Sequence, residues 1–187
     1  MATKEVMEQM KEKLSSLAEE VVASFNGRLD YSLESIEVVE FVLGCIHDEY
    51  METRSEEGMT GIALEFGAYI VKVIERHYGP AEWQTDDPTF GPNTFPLAWQ
   101  GGQIYPVNWC TKRIFDGPGD NVWVKFQTIV MKHEPVFKFP KDASESTVEM
   151  RKNIEMVSQQ KRSIKSDDAS KKGQGFFKRA FSFLRGQ

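Results

Sequence analysis

Between Lys4 and His77, apolar residues recur at spacings of three and four in three successive stretches, which commits this part of the chain to helices. The first stretch places Met7, Met10, Leu14, Leu17, Val21 and Phe25 on one side. Glu5, Glu8, Lys11, Glu12, Glu19 and Glu20 are distributed around the rest. Asn26-Gly27 ends it, a pair suited to the left-handed turn that closes helices. The register is heptad-like over about three heptads, so packing on the chain's own core is expected rather than a coiled coil.

Asp30 or Ser32 is expected to cap a second helix running to about Glu49. Ile36, Val39, Leu43, Ile46 and Tyr50 form its principal face, which Val38, Phe41, Val42 and Cys45 widen. A third helix is predicted from Glu56 to His77, with Gly79-Pro80 as its stop signal. It contains Gly58, Gly61 and Gly67. A glycine inside a helix costs about 1 kcal/mol relative to alanine, so the three predict a neighbouring helix in close approach. Gly58-Met-Thr-Gly61 does not read as a phosphate loop, having no strand before it and no Lys-Ser/Thr ending.

The pattern then changes. Five of the eight prolines lie between Pro80 and Pro106, among many aromatics. Phe95–Trp99 and Gln103–Tyr105 flank Gln100-Gly101-Gly102, the pattern of a hairpin with a glycine turn. Ala81–Thr85 is a candidate third strand. A helix is predicted near Asn108–Phe115 and another over Asn121–His133, capped by Asp120 and buried through Val122, Phe126 and Ile129 or Val130. Beyond Pro135 the periodicity decays, and Ser163–Gly175 reads as a flexible linker. The expectation is an α+β fold: a mainly helical domain over residues 1–140 with a small antiparallel hairpin or sheet, then a polar linker and flexible C-terminal tail over residues 141–187.

Charge divides the chain in the same way. Residues 161–187 hold eight Lys/Arg and two Asp/Glu; of the 23 basic and 28 acidic residues, 15 and 26 therefore fall elsewhere. The formal −5 is thus a body of −11 and a tail of +6. Such a body repels nucleic-acid phosphates. The N-terminus lacks the apolar stretch of a secretory signal and no stretch is apolar enough to span a bilayer, so a cytoplasmic location is expected, with peripheral membrane contact open to the tail.

Chemistry-bearing motifs are sparse. Cys45 and Cys110 form no C-x-x-C pair, and His47, His77 and His133 fall on separate predicted helices, so neither metal nor cofactor is expected. No G-x-S-x-G elbow is present. Trp83, Phe90, Phe95, Trp99, Tyr105 and Trp109 are candidates to line a ligand cleft, although aromatics at a hairpin–helix junction also serve as core. Glu65 reads as part of a solvated helix face or, with His77, as a polar participant beside that cleft. The sharpest local signal is the end of the chain. On a helix, Phe176, Phe177, Ala180, Phe181 and Leu184 share one side, while Lys178, Arg179, Ser182 and Arg185 mark the other flank. A short basic amphipathic segment suits an anionic membrane surface, an acidic groove on a protein partner, or its own acidic domain.

The order of Asp30-Tyr-Ser32, Leu64-Glu-Phe-Gly-Ala-Tyr-Ile70, Phe95-Pro-Leu97 and Lys112-Arg113 with Gly117-Pro-Gly-Asp120 resembles a loose family of small uncharacterised bacterial α+β proteins. The resemblance covers about residues 28–130. It implies the fold and an accessory or immunity-type role, and supplies no activity or catalytic residues. The resulting expectation is a non-enzymatic binding or accessory protein that makes contact through its tail. The alternative is a small-ligand receptor or enzyme built on the aromatic cleft.

Overall fold

The computed structural model describes residues 4–23, 29–91 and 94–132. Over these the chain is mostly helical with a small antiparallel sheet. In order it forms α1 (Lys4–Ala23), α2 (Ser35–Thr53), α3 (Met59–Tyr78), β1 (Glu82–Trp83), β2 (Leu97–Trp99), β3 (Gly102–Ile104) and α4 (Pro106–Phe115). A 3₁₀ turn (Pro118–Asp120), the short α5 (Val122–Lys125) and a π-helical turn (Phe126–Val130) follow. The expected boundary at residue 140 and the whole of 141–187 lie outside the described residues.

Helix α3 is the centre. Its residues from Glu65 to Val71 are all buried, because α1 and α4 both pack against it. A helix apolar around most of its circumference has to be enclosed in this way. The close approach predicted from its glycines occurs at Gly67. A Cβ built there would stand 2.5 Å from Val107 Cγ2 and 2.8 Å from Val107 Cα, so only glycine admits the first turn of α4 to this surface. Gly58 lies at the helix start instead, in the left-handed region.

On its other flank α3 binds α1 through charge as well as packing. Lys11 is buried, yet its ammonium sits 2.7 Å from Glu75 and 2.5 Å from Glu8. Lys72 reaches Glu12 at 2.6 Å. Burial opposes the charge on Lys11, but the two carboxylates prevail and raise its pKa. The loop between α1 and α2 is lashed down from the same helix. Tyr31, at φ +60°, donates its backbone N–H to the Tyr69 hydroxyl at 2.7 Å and stacks on that ring at 4.7 Å. The His77 ring donates to the Tyr31 carbonyl at 2.8 Å, and Arg76 to that of Asp30 at 3.2 Å. These bonds hold a bulky side chain in a backbone region it ordinarily avoids. They also give His77 a structural role.

Helix α2 starts at Ser35 rather than directly after the expected cap. Ser32 accepts from Ser35 N–H and Asp30 from Ser32 N–H, so both residues shape the turn that precedes the helix. The sheet has the order β1-β2-β3, with Trp83 opposite Leu97 and Leu97 opposite Ile104. Gln100 and Gly101, both at positive φ, make the two-residue turn. The helix expected over 121–133 breaks into α5 and the π turn. Its cap is Asn121, which accepts from Val124 N–H at 2.9 Å; Asp120 binds Lys125 instead. Met131 N–H bonds five residues back to Phe126, and the wider turn buries Phe126, Gln127 and Val130 while leaving Ile129 outside.

Replacing Gly67 by alanine is expected to lower stability by about 2 kcal/mol through forced separation of α3 and α4. Gly119, with nothing within 4 Å of its built Cβ, is the control. Urea denaturation of G67A and G119A tests this, with the second staying within about 0.5 kcal/mol of the parent chain.

Candidate functional site

Strand alternation decides which side chains of the sheet turn inward. Trp83, Leu97, Trp99 and Ile104 share the buried face, leaving Glu82, Ala98 and Gln103 on the opposite one. At the hairpin end the sheet meets the beginning of α1 and the Pro80-Ala81 connection. An open cleft of about 830 Å³ lies there, lined by Met7, Glu8, Pro80, Ala81, Glu82, Trp83, Ala98, Trp99 and the turn Gln100–Gln103.

The two tryptophans define its character. They are 6% and 7% exposed, and each ring is held edge-on by another aromatic, Phe95 against Trp83 at 6.1 Å and Tyr78 against Trp99 at 5.9 Å. The indole N–H of each is buried, and neither has an acceptor among the described residues. A buried donor left unpaired costs roughly 1–3 kcal/mol. Charge adds a second element. Glu8 is neutralised by Lys11, whereas Glu82 makes no ion pair among the described residues. At the lip, Lys132 donates to the Gln100 side-chain oxygen at 3.2 Å.

Of the expected aromatic set, the structure brings only Trp83 and Trp99 to this cleft, with Phe95 as a buttress behind Trp83. Tyr105 turns elsewhere, its hydroxyl on Asp87 at 3.1 Å and its ring 5.0 Å from Phe90, which is 62% exposed at the tip of its loop. Trp109 joins the core on the inner side of α4 beside Cys110 and Ile114. Among the described residues that line the cleft there is no serine, threonine, cysteine, histidine or lysine. Sequence reading missed Glu8 and Glu82, which carry no local motif. The tail residues Phe176, Phe177, Lys178, Arg179, Phe181, Leu184 and Arg185 lie outside the described residues. Among those described, no three His, Cys, Asp or Glu side chains converge to hold a metal, and no helix is long and apolar enough to cross a membrane.

Glu65 is not on a solvated face. It is 3% exposed, between α3 and α1, and far in role from the tryptophan cleft. Burial, with a smaller contribution from Glu20, pushes its carboxyl up to about 7. A carboxyl whose folded pKa lies above its unfolded value is protonated preferentially in the folded chain. Its stabilising effect is present below the unfolded pKa and is lost as pH rises towards 7. Glu65→Gln removes the ionisation while keeping the shape. The variant is expected to match the parent near pH 4.5 and to exceed it by about 2 kcal/mol at pH 8. Urea midpoints across that range check this; a constant difference between the two chains would contradict the assignment.

No protein-family model, curated protein or solved structure matches the chain.

Proposed function

We propose that this chain is a non-enzymatic binding protein of accessory type, in which an acidic helical body carries a basic, phenylalanine-bearing contact segment at residues 175–187. The observation that carries this reading is the charge reversal, −11 against +6, between the body and residues 161–187. The body supports it by what its side chains are doing. Lys11, Lys72, Arg113 and Lys125 are all spent on internal ion pairs. For the alternative, a small-ligand receptor or enzyme on the aromatic cleft, Trp83 and Trp99 stand at the cleft while Tyr105 and Trp109 lie elsewhere.

An anionic membrane surface is the first target. Lys178, Arg179 and Arg185 would each contribute about 1 kcal/mol near such a surface, and four phenylalanines at 176, 177, 181 and 183 add apolar insertion. The setting is cytoplasmic, in keeping with a chain of only two cysteines and no C-x-x-C pair. Deleting residues 161–187 tests the reading. Flotation with vesicles containing phosphatidylserine is expected for the full chain, to weaken with salt, and to disappear with the deletion. Equal flotation of both chains, or none of the full chain, would sink it.

A further inference from the structure

The charges between α1 and α3 change character along the contact. Lys11 of α1 lies 2.7 Å from Glu75 of α3, and Lys72 of α3 lies 2.6 Å from Glu12 of α1. The partners count up α1 as they count down α3, so the two helices run antiparallel. Two turns back from Lys72, on nearly the same face of α3, stands Glu65. Its neighbour in charge on α1 is Glu20, two turns beyond Glu12. The contact is therefore held by opposite charges towards the start of α1 and sets carboxyl beside carboxyl towards its end.

Glu65 is 3% exposed and makes no hydrogen bond or ion pair among the described residues. The charged groups of the elements around it are engaged elsewhere or face solvent. Glu19, next to Glu20, takes the Tyr31 hydroxyl, which also bonds Ser15. Asp30 in the same loop accepts from the Ser32 N–H. On α4, the other helix packed on α3, Arg113 is bonded to Glu40 and Lys112 is exposed. An ionised Glu65 thus meets Glu20 and no cation among the described residues. The end of α1 is also the part packed through the smaller side chains. Past Ser15 its buried residues are Ala18 and Val22, with Leu17 and Val21 half-buried, whereas Met7, Lys11 and Leu14 anchor the earlier turns.

We infer that the last two turns of α1, residues 17–23, form a proton-operated clasp, closed on α3 while Glu65 is protonated and lifted from it when Glu65 ionises against Glu20. The bridges of Lys11 and Lys72 hold the start of the helix in both states. The Tyr31 hydroxyl on Glu19 is the catch that the ionised pair has to overcome. Once lifted, so short a helical end frays, which makes its amides a direct reporter. Burial, with a smaller contribution from Glu20, sets the Glu65 titration at about 7 in the closed state. Opening returns the carboxyl to its ordinary range, so the open state gains as pH rises. The device responds across neutrality and involves neither the cleft nor the basic tail.

Amide hydrogen exchange of the full chain reads the opening, followed residue by residue by NMR at pH 5.5 and pH 8 and corrected for intrinsic rates. A carboxyl passing from about 7 when closed to its ordinary 4.5 when open raises the open population about 25-fold over that interval. Protection at Glu20–Ala23 is expected to fall by that factor, while Lys11–Leu14 and Phe66–Ile70 change by less than about threefold. Glu65→Gln keeps the shape without the ionisation, and is expected to abolish the fall. Equal loss along α1 and α3 would overturn the inference, since Glu65 would then govern the whole fold and not a clasp. Unchanged protection between the two pH values would overturn it as well. Both outcomes are read in the parent chain and do not depend on how the variant folds. A fall that survives Glu65→Gln would likewise remove Glu65 as the operator.

Discussion

Arg113 carries its charge into the layer between α4 and α2, and Glu40 meets it there with a 2.6 Å bond between Nε and Oε1, both side chains about nine-tenths buried. The same carboxylate accepts the Val122 N–H at 2.7 Å, so one group on α2 fixes both α4 and the start of α5. The fit depends on Gly44: a Cβ built there would lie 2.7 Å from Arg113 Nη2, which is the space the guanidinium fills. Burial pushes the Glu40 carboxyl up more strongly than Arg113 and the Val122 N–H pull it down. That ordering shows desolvation outweighing the local attraction, as it commonly does for buried pairs. The pair therefore adds little net stability. Its effect is on uniqueness, because any other register of α4 on α2 would strand two charges in the core.

The outer parts of the molecule follow from that placement. Helix α4 is pressed on α3 at Gly67 and tied to α2 at Arg113, and only Tyr105 separates its first residue, Pro106, from the end of β3. The sheet alone, with strands of two or three residues, is too short to be stable in isolation. Its inner face joins the common core, where the Tyr78 ring of α3 packs edge-on against Trp99, and Trp83 and Trp99 lie beside Met7 and Glu8 of α1. At the other end the Glu40 bond to Val122 starts α5 and the π turn, and so brings Lys132 to Gln100.

Much of this frame was legible in the sequence. The helices α1, α2 and α3, the hairpin about Gln100-Gly101 and the close approach at a glycine of α3 all have local causes: apolar spacing, turn residues and the cost of glycine in a helix. What was not legible is tertiary. Glu40 and Arg113 are 73 residues apart, and the one available hint was a charge on the buried stripe of α4, between Cys110 and Ile114. Glu65 was read as a solvated acid although the apolar Leu64, Phe66 and Ala68 surround it in sequence. Only the packing of α1 over α3 buries it. The cleft was half legible, through its tryptophans, while Glu8 and Glu82 come together only because α1 runs past the sheet. The division of Asn121–Val130 into an α and a π turn comes from the wider, five-residue hydrogen-bond spacing that sets in at Phe126, for which the sequence offers no signal.

A double-mutant cycle on Glu40→Leu and Arg113→Leu, read by urea denaturation, is the most direct test of the claim that this pair sets the frame. Each single change leaves a buried group unpaired and is expected to cost about 3 kcal/mol or more. The double change removes both charges, and its cost is expected to fall short of the sum of the singles by at least about 2 kcal/mol. Additivity within about 0.5 kcal/mol would contradict it, showing two independent residues where the structure places one coupled pair.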